Sequence, residues 1–426
     1  MSPCFKKRVL KEEIYNPWLC EAEPNNTMKE KTNQAIEALT EAVLNSELKN
    51  LAEEMHNDVP EDYKEYCPGD FASLIKYLKV VATITPPFTN DAPGFNYLGV
   101  PITTVLLCYL HTRKGRIFFA NNVVNTHMRN IVNAYGDLLQ SKDSLTVFNE
   151  FQYGWQSKCA RDLLDMDQFN YIPDEPAWGF DSFNDFFTRS LLDIKKNRPC
   201  DAGPYVLTSF GDVTEFYNQT DVEFETPLWA KNESYSLKQM FNNDEQAKKF
   251  EGGAVLQAYF SGHKYHRYHS PANGIIQYAE KVPGIIYAID EINAGVDDNF
   301  TDGKNVSKQA KLNLWLKYGQ NGVIDTELYL AHVATRCIFV IDNNDLGPIG
   351  LVFLGMTEIS SCTMIKKAGD IVEKGEELGQ FQFGGSSGLV ALSKKTVDNA
   401  ATGPNIWSQN QKLTWKVCEK IVDLSP

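Results

Sequence analysis

The spacing of apolar residues changes near Pro199, and no single-period fold accommodates both parts of this 426-residue chain. Ile36, Leu39, Val43, Leu48, Leu51 and Met55 fall on one side of a 3.6-residue helix, which predicts an amphipathic helix from about Thr27 to His56. The same spacing recurs at Phe71, Leu74, Ile75, Leu78 and Val81, and around Ile131, Leu138 and Leu139. The nearly apolar run Tyr97 to Leu110, broken by Pro101, is shorter than the ~20 residues of a membrane span and predicts a buried helix. Ser182-Phe183-Asn184-Asp185 has the capping-box pattern and predicts a short helix carrying Phe186, Phe187 and Arg189, ended by Arg198-Pro199. Beyond it, short apolar runs at 205–207, 254–259, 274–278, 285–289, 337–341 and 349–354 read as strands. The expectation is an α+β protein, with a mainly helical N-terminal domain over residues 1–195 and a β-rich domain over 196–426.

Charge limits the partners. Lys and Arg number 41 against 55 Asp and Glu, a net −14 that repels phosphate backbones and anionic lipid headgroups. The nine cysteines are scattered without a Cys-x-x-Cys pair, which predicts reduced thiols, a cytoplasmic setting and no cysteine zinc site. Residues 1–20 lack the apolar core of a secretory signal, so the Asn-x-Ser/Thr matches at Asn25, Asn218, Asn232, Asn299 and Asn305 carry no glycosylation meaning. In the acidic loop 297–303, Phe300 and Gln309 stand where a calcium hand needs its third and twelfth ligands, so a solvated loop is expected.

Two stretches could carry chemistry. His263, His266 and His269 share one seven-residue window, for which metal binding, plain packing and acid/base work are all open readings. The other is Phe381-Gln382-Phe383-Gly384-Gly385-Ser386-Ser387-Gly388, which alone reads as a flexible turn. Before it, Gly369 to Gly379 has a strand-turn-strand pattern with Val372, Leu378, Phe381 and Phe383 as inward residues, similar to half of the barrel that carries biotin or lipoate. Those carriers present a lysine at the hairpin tip; here a serine follows the strand, so a prosthetic group would have to be made from Ser386 itself. A serine hydroxyl held against the preceding carbonyl can convert the peptide to an ester, and β-elimination then leaves dehydroalanine, which hydrolyses to a pyruvoyl group. Gly385 suits this because it has no Cβ to block the attack. The serine needs a base and the base an orienting carboxylate. A clustered histidine and an aspartate within Thr208-Ser209-Phe210-Gly211-Asp212 are the candidates.

The chain resembles the phosphatidylserine decarboxylase family of pyruvoyl enzymes. The likeness lies in Phe183-Asn184-Asp185-Phe186-Phe187-x-Arg189 with Arg198-Pro199, in Tyr265-His266-Arg267-Tyr268-His269-Ser270-Pro271-x-Asn273-Gly274, and in Gly375-x-x-Leu378-Gly379-x-Phe381-x-Phe383-Gly384-Gly385-Ser386-Ser387. Within the family it is similar to the soluble fungal L-tryptophan decarboxylases of the psilocybin pathway. That likeness extends through 139–144, Gly154-Trp155, 233–238 and 354–360. The resemblance implies a β-rich catalytic domain and self-cleavage between Gly385 and Ser386, with Ser386 becoming the pyruvoyl cofactor. It also implies His269 as the cleavage base, Asp212 as its orienting acid and His266 as the histidine of decarboxylation. Two departures stand out: Gly384-Gly385-Ser386-Ser387 replaces the usual Leu-Gly-Ser-Thr, and Ser209-Phe210-Gly211-Asp212-Val213 replaces Ser-Pro-x-Asp-Gly.

The expected function is decarboxylation of a soluble aromatic L-amino acid, with phosphatidylserine as the alternative and a silent, uncut scaffold as a third reading. No metal or added coenzyme is required. The expected partners are the amino-acid substrate and the protein's own two chains after cleavage. Nucleic acid and a membrane span are not expected, and oligomerisation stays open.

Overall fold

The computed structural model describes residues 26–64, 67–88, 98–110, 112–225, 228–230, 233–287, 333–355, 358, 361–383, 386–409 and 413–426. The acidic loop 297–303 and the residues Gly384 and Gly385 lie outside the described residues. The described residues form two compact units, one running to Asp162 with Phe180–Phe183 and 285–287, the other comprising the rest.

The first unit is helical. The helix expected from about Thr27 to His56 is two helices, Asn26–Leu44 and Leu48–Asn57. Ser46 explains the break: its hydroxyl donates to the Ala42 carbonyl at 2.7 Å and accepts from the Leu48 amide at 3.3 Å, competing with the backbone ladder. Phe71–Val81 starts where Asp70 accepts from the Ser73 amide at 2.7 Å, and it buries all five apolar residues read from its spacing. Pro101–Leu110 is buried on every side, as its apolar run predicts. Asn122–Leu139 is the third expected helix. Among the described residues no helix is long and apolar enough to cross a membrane.

The second unit holds the strands, which number in chain order β1 (Val206–Thr208), β2 (Val213–Val222), β3 (Leu228–Ala230), β4 (Glu233–Tyr235), β5 (Gly253–Phe260), β6 (Arg267–His269), β7 (Gly274–Val282), β8 (Arg336–Asn343), β9 (Gly347–Gly355), β10 (Cys362–Met364), β11 (Ile371–Val372), β12 (Glu377–Phe381), β13 (Ser386–Leu392), β14 (Thr414–Trp415) and β15 (Lys420–Asp423). Eight form one antiparallel sheet in the order β11-β7-β8-β9-β13-β5-β2-β14. A smaller sheet has the order β10-β12-β6. The hairpin expected over Gly369–Gly379 therefore does not close on itself: β11 pairs with β7 while β12 lies between β10 and β6. Val372, Leu378, Phe381 and Phe383 are nevertheless buried, so the inward pattern holds although the partners differ. The expected short helix is present as Phe183–Phe187 but stops before Arg189 and well short of Arg198-Pro199, and a separate turn of helix, Ile194–Asn197, precedes Arg198. Residues 163–179 and 184–195 belong to this unit; the Phe169 ring lies 6.1 Å from that of Tyr265.

β13 is buried along its whole length because β9 and β5 flank it and both of its faces are covered. Leu389 and Ala391 point into a core with Val255, Ile338, Val352 and Phe250. Alternate residues point to the opposite face, where Phe210, Phe260 and Phe353 meet Tyr268 and Phe381 of the small sheet. Gly388 lies on this second face, and a Cβ there would come within 2.5 Å of the Phe210 ring. Gly388→Ala is expected to lower stability by about 1–3 kcal/mol through overpacking, measured as a lower midpoint in urea unfolding of the purified chain.

Candidate active site

Ser386 opens β13 opposite Phe260 of β5 and Gly355 of β9. It shares the face of Gly388, and directly opposed residues of an antiparallel pair stand on the same side, so Ser386 lies beside Phe260. The Phe260 ring in turn stacks with His266, centroids 6.4 Å apart, and Phe187 covers His266 at 3.9 Å. Ser386 is 1% exposed and His266 fully buried. Among the described residues, neither the buried Ser386 hydroxyl nor the buried His266 Nε2 has a hydrogen-bond partner. His266 Nδ1 lies 3.0 Å from the Lys264 carbonyl, so the proton sits on Nδ1 and Nε2 carries the free lone pair. Burial, and then the Arg189 charge, hold its pKa well below the ordinary histidine value. Arg189 donates to the carbonyl of His263 at 2.7 Å, and its guanidinium lies over the rings of Phe169 and Phe186. His263, the remaining clustered histidine, is buried beside it.

His269 is reached differently. It closes β6 next to Tyr268, and the pleat turns it away from the face on which Tyr268 stacks against Phe353. Its Nδ1 lies 2.8 Å from the Gly375 carbonyl and its Nε2 2.8 Å from the Tyr265 hydroxyl. Burial lowers its pKa to about 4, against the opposing pull of the Gly375 carbonyl and the Asp212 charge. Asp212 accepts from Arg198 at 2.7 and 3.2 Å and from the Val417 amide at 2.8 Å, a bidentate buried pair. No hydrogen bond joins Ser386, His269 and Asp212 to one another among the described residues. The structure thus sets Ser386 and His266 each next to Phe260, and leaves Asp212 acting on His269 through its field, while a carbonyl takes the orienting position at Nδ1.

The spacing of motifs did not reveal Tyr265, Gly375 or Arg198 as parts of the site, although all three lie inside the quoted stretches. Nor did it reveal the disulfides. The structure pairs Cys67 with Cys108 and Cys200 with Cys418, correcting the expectation of reduced thiols for these four residues. Scattered in sequence, they meet only through folding. Gly375 has φ +81°, and a Cβ there would lie 2.5 Å from both sulfurs of Cys200–Cys418, so glycine lets the disulfide back the carbonyl that holds His269.

The phosphatidylserine decarboxylase family model matches residues 183–414, and a second model of that description matches residues 33–164. The chain is 33% identical over 328 residues to an L-tryptophan decarboxylase of Psilocybe cyanescens, covering 72% of this chain and 70% of that protein. It is 31% identical over 356 residues to the L-tryptophan decarboxylase of Psilocybe cubensis, covering 79% and 74% respectively. A phosphatidylserine decarboxylase proenzyme of Clostridium perfringens is 29% identical over 236 residues, covering 55% of this chain and 67% of that one. The family match and these relatives define a decarboxylase, a carboxy-lyase. The chain belongs to the phosphatidylserine decarboxylase family.

The folded chain holds His269 neutral down to about pH 4, whereas the unfolded chain protonates it near the ordinary value of 6.5. Between those limits the unfolded state binds more protons, so stability is complete above pH 6.5 and falls with pH through 4, by roughly 3 kcal/mol from this group. His269→Gln is expected to flatten the pH dependence of the urea midpoint over that window.

Proposed function

We propose that this chain is a pyruvoyl-dependent decarboxylase of a soluble aromatic L-amino acid, of the tryptophan-to-tryptamine type, matured by serinolysis between Gly385 and Ser386. The observation that carries the reading is that two buried polar atoms without a partner among the described residues, the Ser386 hydroxyl and His266 Nε2, belong to residues that both neighbour Phe260. An unsatisfied buried polar group costs about 1–3 kcal/mol, a cost retained where chemistry uses it. The residues fit the group, since its source serine is at the start of a rigid strand and the ring of His266, whose Nε2 can accept a proton, stacks on Phe260, the residue opposite that serine. A pyruvoyl group there supplies a ketone that takes the substrate amine and withdraws electrons as carbon dioxide leaves.

The chain's own residues do the rest. Asn184 accepts from the Phe383 amide at 3.2 Å and fixes the backbone leading to the cut. His269, kept neutral, is the maturation base in this reading: its Nε2, which accepts from the Tyr265 hydroxyl in the uncut chain, exchanges that donor for the Ser386 hydroxyl and takes its proton, and Asp212, paired with Arg198, favours the imidazolium that forms. In turnover, His266 accepts a proton from the substrate ammonium at Nε2 and returns it to the carbon that has lost carbon dioxide. Phe187 and Phe260 exclude water from that nitrogen. Oligomerisation and a cytoplasmic setting are compatible with this reading, and the helical and β-rich regions are proposed to act as separate domains. The family match favours phosphatidylserine as the second substrate reading.

Wild-type protein is expected to split into residues 1–385 and 386–426, and Ser386→Ala to stay one 48.1 kDa chain without activity, as read by intact mass. A split Ser386→Ala chain, or a whole wild-type chain, defeats the maturation scheme. Supplied in parallel with tryptophan, tyrosine, phenylalanine and phosphatidylserine vesicles, the split enzyme is expected to release carbon dioxide fastest from an aromatic amino acid. His266→Ala is expected to split normally yet lose about 100-fold in that rate.

A further inference from the structure

We propose that Tyr265 is the positioning residue for His269, holding the imidazole in one tautomer and one plane so that Nε2 is its basic nitrogen. The inference rests on the reading of His269 as the maturation base, and it adds a residue to which neither spacing nor similarity assigns a role.

The geometry is specific. Tyr265 is 2% exposed, and its hydroxyl lies 2.8 Å from His269 Nε2. The Gly375 carbonyl only accepts, so the imidazole proton belongs on Nδ1, and the Tyr265 hydroxyl is then the donor to the Nε2 lone pair. The two contacts grip the ring at both nitrogens. Tyr265 also stacks on the imidazole with centroids 5.6 Å apart and planes 29° from parallel, while Phe169 braces the tyrosine ring from 6.1 Å. Rotation about the histidine side chain would break both hydrogen bonds and leave polar atoms buried unpaired.

Without the hydroxyl, Nε2 loses its donor and the Nδ1–H form loses half of its support. A donor to the lone pair favours neutral imidazole, so its loss also makes His269 easier to protonate. The groups that bear on this ring are the Arg198–Asp212 pair, Arg267 paired with Glu377 opposite His269 on β12, and Glu376 paired with Lys366. All remain in a Tyr265→Phe chain, which also keeps the stacked ring. The variant therefore isolates the hydroxyl.

Two measurements test this. The first follows splitting of freshly synthesised wild-type and Tyr265→Phe chains across pH. Splitting is expected to slow about tenfold or more, and the pH below which it fails is expected to rise toward the ordinary histidine value. A merely structural loss would slow splitting without moving that limit. The second uses nitrogen-15 histidine spectra of Ser386→Ala protein, which stays whole and needs no activity. There His269 is expected as the Nδ1–H tautomer, and Tyr265→Phe on that background is expected to give mixed tautomers. An unchanged splitting rate and pH limit, or an unchanged Nδ1–H signal in the double variant, overturns the role of Tyr265. If His269→Ala still splits while Tyr265→Phe changes the tautomer, the base assignment falls and the positioning geometry survives.

Discussion

The second unit is built around a strand that has no exposed face. β13 is flanked by β9 and β5 and covered above and below, so every backbone group along it is paired and every side chain is fitted to a neighbour. That leaves little freedom at its first residue. Ser386 is fixed in position by seven consecutive register pairs on either side, while its hydroxyl has no partner among the described residues.

The charge states around it follow from burial. Both histidines are kept neutral because dehydrating an imidazolium costs more than the nearby carbonyls return. Arg189 is so deeply enclosed that its own pKa drops to about 9, and aromatic faces and carbonyls stand in for a carboxylate. Asp212 accepts from Arg198 and from a backbone amide. A buried pair of this kind is costly to break, since either partner alone would be left charged in a dry interior. The arrangement separates two imidazoles with different surroundings: one whose Nε2 has no partner among the described residues, the other gripped at both nitrogens.

Much of this was legible in the chain. The helical period placed Phe71–Val81 and the buried Pro101–Leu110, and alternation placed the long strands, because each pattern reflects which side of an element meets the core. The motif around Ser386 and the histidine window were joined by similarity, and the structure places both in the second unit. Other features were not legible. Ser46 breaks a helix whose apolar pattern runs on unbroken, because a side chain competes for backbone hydrogen bonds. The turn after Gly369 looked like a hairpin, since local alternation says nothing about which strand becomes the neighbour.

The sequence by itself determined the two periods, the Gly-Gly-Ser-Ser stretch, the clustered histidines and, through likeness, the family of decarboxylases to which the chain belongs. Only the tertiary structure decided which atoms meet. Tyr265 and His269 are four residues apart, yet their contact depends on the loop before β6. Gly375 reaches His269, and Cys200 reaches Cys418, from more than a hundred residues away. The reason is physical: periodicity encodes burial, a property of one element, whereas hydrogen bonds, ion pairs and disulfides need two groups brought together by the packing of several.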